Sequence, residues 1–168
     1  RLLTVRVVEI EGMHDWGNAL LGVVIGEIVT NEKHPQADKL SVNQVRVGDT
    51  TLPIVCGAPN ARAGLKVAVA TVGTRLPGGE IKKAKLRGVE SHGMLCSAAE
   101  LELSEAHDGI LELPADAPAG KPLAEYLGLN GLVLDIDNAS ITHRPDLWGH
   151  VGWAREICAA LRLPGTAA

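Results

Sequence analysis

Hydrophobic positions fall into short runs broken by glycine, proline and charged residues, not into long helical stripes. Residues 3–10 are rich in Val and Leu and read as a strand, and residues 11–18 are turn-like with two glycine breaks. Residues 23–30 (VVIGEIVT) form the next strand, in which Gly26 suits a bend or the close approach of another backbone. His34-Pro35 opens a turn. Residues 40–47 alternate Leu40, Val42, Val45 and Val47 with polar side chains, and the slip at Asn43-Gln44 predicts a bulge. Gly48-Asp49 leads into residues 51–55 and completes a hairpin. Residues 66–72 (KVAVATV) are a further strand, Leu76-Pro77-Gly78-Gly79 is a turn, and residues 81–87 form a basic strand. Helical spacing over residues 97–103 predicts a short helix, after which residues 109–113 (GILEL) supply a closing strand.

Short strands joined by Gly and Pro turns fit a closed barrel better than helices layered on a parallel sheet. Beyond it, a short helix covers residues 123–127, residues 133–136 are strand-like, and residues 139–145 are irregular. Leu147, Val151, Ala154, Ile157, Cys158 and Leu161 then share one face of a final helix that ends at Pro164-Gly165. The two terminal pieces are each too small to bury a core alone, so they are expected to pack together. The fold class expected is mainly β, a barrel inserted into a small α+β domain. Its divisions are residues 1–21 for the first part of that domain, 22–127 for the barrel and 128–168 for the second part.

Composition narrows this picture. With 46% hydrophobic and 21% charged residues the chain has the balance of a packed soluble fold. Three Trp, one Tyr and no Phe imply an aliphatic core. No apolar stretch approaches the roughly 18 residues of a membrane span, and no charged-then-apolar leader opens the chain, so a cytoplasmic protein without membrane contact is expected. The strand-like opening at Arg1 suggests that the natural start lies upstream. Cys56, Cys96 and Cys158 are widely spaced and form no CxxC pair, which argues for buried thiols and against a disulfide framework or zinc ribbon. The formal net charge of −4 opposes simple tight binding of nucleic acid, but charge is uneven. Residues 79–92 carry Lys82, Lys83, Lys85 and Arg87 against Glu80 and Glu90, whereas residues 98–116 carry six acids and no Lys or Arg.

Five stretches in order carry a resemblance. His34-Pro35-Gln36-Ala37-Asp38-Lys39-Leu40 is similar to the HP-x-ADKL signature of tRNA-binding OB domains. Residues 55–60 (VCGAPN), 66–70 (KVAVA), 81–89 and 91–97 (SHGMLCS) follow as that family has them. Asp135-Ile136-Asp137, residues 142–147 (THRPDL), Gly149-His150, Gly152 and Ala154-Arg155-Glu156 resemble the segment after the OB insertion in the β-subunit family of bacterial phenylalanyl-tRNA synthetases. The commoner form of that tail has Thr-Pro-Asn-Arg where this chain has Thr142-His143-Arg144-Pro145. The resemblance implies an OB-fold Greek-key barrel and an accessory tRNA-contact and scaffolding fragment. Its parent would join phenylalanine to its tRNA with ATP and Mg2+, as an α2β2 assembly with a catalytic α subunit. The fragment would have no catalytic residue and no cofactor of its own.

Candidate RNA-contact residues each have a plainer reading. His34, Pro35 and Asp38 suit turn chemistry, while Lys39 at a strand start reaches a phosphate or stands solvated. Asn60 and Arg62 lie in a rim loop, where Asn60 serves either a β-turn or RNA. Lys82, Lys85 and Arg87 recur at near-alternate positions and would make a phosphate track, or a merely soluble face. For Ser91, Gly93 and Met94, RNA contact follows mainly from the resemblance; Met94 could equally plug the barrel end. His92 and Cys96 lack the second ligand pair of a metal site, and no phosphate-cradling or HExxH motif occurs. Arg155 and Glu156 pair with a neighbour or lie on an exposed helix face, and Trp148 and Trp153 are expected in a seam. With few aromatics, RNA contacts would be electrostatic and salt-sensitive. Two rival expectations are a protein-interaction OB module without RNA contact, and a free-standing tRNA-binding protein ending near Leu127.

Overall fold

The computed structural model describes residues 8–105, 107–129, 131–136 and 139–163, with Trp16 and Ser140 described by backbone alone. Most of the strand expected over residues 3–10, and the Pro164-Gly165 helix end, lie outside these residues. The chain divides into two units, Trp16–Gly131 and a second made of Arg1–Asp15 with Leu132–Ala168.

The larger unit contains β2 (Val23–His34), β3 (Ala37–Val47), β4 (Thr50–Cys56), β5 (Lys66–Thr71), β6 (Arg75–Leu76) and β7 (Gly79–Glu80). It continues with β8 (Ala84–Leu86), β9 (Val89–Ser91), β10 (Gly93–Leu95) and β11 (Glu112–Leu113). The main sheet runs β10-β5-β2-β3-β4, with β11 also on β5, and its pairs are antiparallel. The two ends of this sheet meet where the His92 N–H donates to the Pro53 carbonyl at 2.8 Å and the Val55 N–H donates to Ser91 Oγ at 3.1 Å. The mainly β fold expected from the strand pattern is therefore observed, and it is OB-like as the resemblance implies.

β5 explains why so few aromatics suffice. Val67 and Val69 point into the barrel with Ile28, Val45, Ile54 and Leu95, all buried. Ala68 and Ala70 point outward, where their small side chains let Leu101, Leu123 and Cys96 close over the strand with Val23 and Ile25. Both faces of β5 are thus covered, and its near-continuous apolar run follows from that.

Two local expectations are corrected. β3 pairs with β4 in unbroken register, and the bulge lies on the partner strand, where Val29 is the extra residue between Ile28↔Val45 and Thr30↔Gln44. Period two survives in β3 because Asn43, fully buried, takes the interior position that the apolar pattern gave to Val42. Its amide is satisfied by the Ser41 hydroxyl at 3.0 Å and the Ile54 carbonyl at 3.3 Å, and its Oδ1 accepts from Asn31 at 2.7 Å. Gly26 is a matter of side chains and not of backbone approach, since a Cβ there would lie 2.5 Å from Val69 Cγ2 and 2.8 Å from Val45 Cγ1.

The helix expected over residues 97–103 is a single turn. Ser97 and Glu100 form a reciprocal capping arrangement, but Glu102 adopts φ +54° and the chain reverses. The short helix α2 (Leu123–Tyr126) follows, while α1 (Trp16–Ala19) precedes β2.

In the smaller unit β1 (Ile10–Asp15) pairs antiparallel with β12 (Leu132–Ile136), followed by 3-10 turns at Ala139–Ile141 and Pro145–Trp148 and by α3 (His150–Leu161). Leu147 lies in the second 3-10 turn and not in the helix, because Pro145 and Gly149 interrupt helical continuation. It packs with Val8 and Ile141, and Trp153 rests against that cluster. Trp148 is instead exposed. Arg144 holds the turn to α3 by pairing bidentately with Asp146 (2.9 and 2.8 Å) and with Glu156 (2.8 Å).

Candidate nucleic-acid interface

Lys82, Lys85 and Arg87 are carried on one arm, though not along one strand. β8 spans only Ala84–Leu86; Lys82 precedes it, Lys85 lies within it, and Arg87 occupies the turn to β9. The turn consists of Arg87 at φ +46° and Gly88 at φ +92°, the two left-handed residues of a tight hairpin whose twist matches its strands. The strand predicted over residues 81–87 is shortened because this turn needs backbone angles that a strand does not have. All three cations are exposed. Lys83 instead pairs with Glu90 at 3.2 Å, and His92 reaches the same carboxylate at 3.2 Å. Those two contacts, His92 first, hold the Glu90 carboxyl below the usual range.

The arm is fastened to the β2–β3 turn. His34, 5% exposed, donates from Nε2 to the Leu86 carbonyl at 3.1 Å, and its Nδ1 accepts from the Gln36 N–H at 3.1 Å. A backbone N–H only donates, so Nδ1 is unprotonated and Nε2 carries the proton. Arg87 Nη1 lies 3.4 Å from the Gln36 carbonyl. Lys39 is exposed at the start of β3, beside this turn, and Lys33 is exposed at the end of β2. The two stretches that carry cations therefore adjoin although about fifty positions separate them.

Asn60 and Arg62 face a different element. Asn60 Oδ1 accepts from the Ile110 N–H at 3.0 Å and its Nδ2 donates to the Ile110 carbonyl at 3.0 Å, so the side-chain amide pairs with the main chain as a neighbouring strand would. Arg62 grips Glu112 bidentately at 2.9 and 2.7 Å. That guanidinium, then the Asn60 amide, keep the Glu112 carboxyl below its ordinary range. Both side chains tie the loop before β5 to the closing strand.

Ser91 is 3% exposed and its hydroxyl is used within the barrel seam, accepting from Val55 and donating to the Gly93 carbonyl at 3.0 Å. Gly93 is required by its own neighbour, because a Cβ would lie 2.8 Å from the Ala70 carbonyl oxygen. Met94 is partly buried and lines two adjoining clefts of ≈ 430 and ≈ 420 Å³.

Residues 23–122 match the family described as "Putative tRNA binding domain". The chain belongs to this family. It is 52% identical over 165 residues to the phenylalanine–tRNA ligase β subunit of Photorhabdus laumondii, covering 96% of this chain and 20% of that protein. It is 51% identical over 163 residues to the protein of the same name in Coxiella burnetii, with the same coverage of 96% and 20%. This tRNA-binding-domain chain thus spans 20% of the length of those curated relatives. A crystal structure of a MetRS-related protein from Pyrococcus horikoshii is similar at 26% identity and TM-score 0.46, over 60% of this chain and 87% of that one.

In this tRNA-binding domain the role of His34 as a fastening for the arm was not readable beforehand, since a turn histidine gives no sign of which carbonyl it meets 52 positions away. The pairing of Arg62 with Glu112 was equally hidden, and so was the place of Lys33, which lies far in sequence from the basic stretch of residues 79–92. Among the described residues no group of three or more His, Cys, Asp or Glu side chains is placed to hold a metal ion, and no helix is long and apolar enough to cross a membrane.

Proposed function

We propose that this chain is the tRNA-contacting and scaffolding part of a phenylalanine–tRNA ligase β subunit, and that Lys39, Lys82, Lys85 and Arg87 touch the phosphate backbone. The observation that carries this reading is Arg87. A left-handed turn position is filled with least strain by Gly or Asn, and a long cation there costs about 1 kcal/mol or more of backbone strain. The strain places an exposed guanidinium at the tip of the arm. Lys39 and Lys33 lie beside the turn to which His34 ties that arm, so phosphates along one strand of RNA can meet several cations in succession.

On this reading Asn60, Arg62, Ser91 and Gly93 maintain the barrel, and RNA contact by them is secondary. Recognition is electrostatic, because base stacking needs aromatics that the arm lacks. The joining of phenylalanine to its tRNA, with ATP and Mg2+, belongs to the parent assembly with its α subunit. No residue described here is assigned a step in it. Placement in the cytoplasm follows from the same parent.

The test is a titration of the 168-residue chain with phenylalanine-accepting tRNA at several salt concentrations. Binding in the micromolar range or weaker is expected. The logarithm of the constant should fall by roughly 0.7–0.9 per neutralised phosphate for each decade of salt. Replacing Lys82, Lys85 and Arg87 together by Ala should flatten that slope. An unchanged slope in the triple variant removes the arm from the interface.

A further inference from the structure

Next to the cationic arm lies a surface of opposite character. The two clefts that meet at Met94 also share Glu100 and His107, and a third recess adjoins through Ala99, Glu102 and His107. Together they make a groove bordered by the β6–β7 turn and by the loop after residue 97. Its walls include Leu76, Pro77, Ile81, Met94, Ala99 and Leu103, and among the described residues no Lys or Arg lines any of the three recesses. Glu100 is engaged by the Ser97 N–H at 2.7 Å. Glu80, Glu102 and Glu105 are exposed, and among the described residues none of them is in an ion pair with Lys or Arg.

We propose that this groove docks a polypeptide segment presenting an aliphatic side chain between lysines or arginines. The apolar walls take the aliphatic group, and the carboxylate rim takes the cations. Phosphate is the wrong chemistry for this surface, because the rim would repel it where the arm attracts it. The charge runs the same way in the sequence, where residues 98–116 carry six acids and no Lys or Arg within a chain of net charge −4. Arg75 faces Glu80 across the β6–β7 pair and Lys82 follows Ile81, so the complementary field lies on the Glu102–Glu105 side. The docking does not depend on tRNA contact by the arm, and together the two faces would let one barrel hold RNA and protein at once.

The test uses the full 168-residue chain, isotope-labelled for amide NMR, and three capped pentapeptides: alternating Lys and Leu, alternating Lys and Ser, and alternating Glu and Leu. The Lys–Leu peptide is expected to bind and to shift the amides of Gly78, Met94, Ala99 and Leu103. The other two should bind at least tenfold more weakly. Glu102→Gln with Glu105→Gln should weaken the Lys–Leu peptide several-fold, with the remaining amide spectrum and the tRNA titration unchanged. Shifts centred elsewhere, equal binding of the Lys–Ser peptide, or an unaffected double variant would overturn the proposal. Competition by tRNA for the same amides would overturn it too, by making the groove an RNA site. Loss of tRNA binding alone counts only against the arm.

Discussion

His34 and Leu86 are joined by a hydrogen bond from the imidazole Nε2 to the main-chain carbonyl, 3.1 Å long, across 52 positions of sequence. The ring is buried and its other nitrogen accepts from Gln36, so both nitrogens are used and the ring has one orientation. His34→Leu fills similar space but removes the bonds to the Leu86 carbonyl and from the Gln36 N–H. Gln36 and Leu86 are exposed, so water can replace the ring, and a loss of about 1 kcal/mol is expected, read as a lower urea midpoint. Amide exchange at Gln36 and along β8–β9 should accelerate more than exchange in β5. Equal acceleration throughout would mean that the histidine supports the whole barrel and not the arm.

Arg87 separates charge from backbone. Arg87→Asn removes the cation yet suits the φ of +46°, so thermal stability should hold or rise while tRNA binding weakens. Arg87→Ala removes the same charge without relieving the backbone, and should weaken binding equally with no gain in stability. If Asn at this position binds tRNA as tightly as Arg, the turn residue contributes only geometry.

The contrast between β5 and β3 shows what the sequence could convey. Within KVAVAT residues 67–70 are apolar at successive positions, and a strand covered on both faces must be, so the central strand was legible. β3 misled because Asn43 is interior, and only the partners supplied by Ser41, Ile54 and Asn31 make that position habitable for an amide. The compensating bulge at Val29 lies on another strand, where nothing in its own pattern marks it. The arm shows the same limit. Its charges could be counted, but the positive φ of Arg87, the Lys83–Glu90 pair and the His34 fastening depend on chain reversal and long-range register. The Ser91 hydroxyl looks available in the sequence, but burial turns it inward to the Gly93 carbonyl.

Asn60 and Arg62, two positions apart, should behave differently when truncated. Asn60→Ala abandons the Ile110 N–H and carbonyl at a nearly buried strand end, which should cost about 1–3 kcal/mol. Asn60→Asp keeps the acceptor but sets a carboxylate against the Ile110 carbonyl and Glu112, so it should also destabilise, less so at acid pH where it is protonated. Arg62→Ala removes an exposed pair with Glu112 and should leave the urea midpoint almost unchanged. A loss at Arg62 as large as that at Asn60 would show that the ion pair, and not the amide, holds the closing strand.

The cysteines give a prediction that depends on burial alone. Desolvation pushes the Cys96 thiol from an ordinary 9.0 up to about 12, and burial raises Cys56 as well, whereas Cys158 is partly exposed on α3. The thiolate is the reactive form, so an aromatic disulfide reagent at pH 8 should modify Cys158 first and reach Cys56 and Cys96 only on unfolding. For stability the sign follows from proton uptake. Below pH 9 both folded and unfolded chains keep these thiols protonated, and the contribution is fully present. Between pH 9 and about 12 the unfolded chain releases protons that the folded chain retains at Cys96, so stability must fall as pH rises through that window. Cys96→Ala, which leaves a small void but no titrating group, should lower the midpoint at pH 7 and lose less between pH 9 and 11 than the parent chain does. An equal alkaline loss in both would assign that loss to other groups.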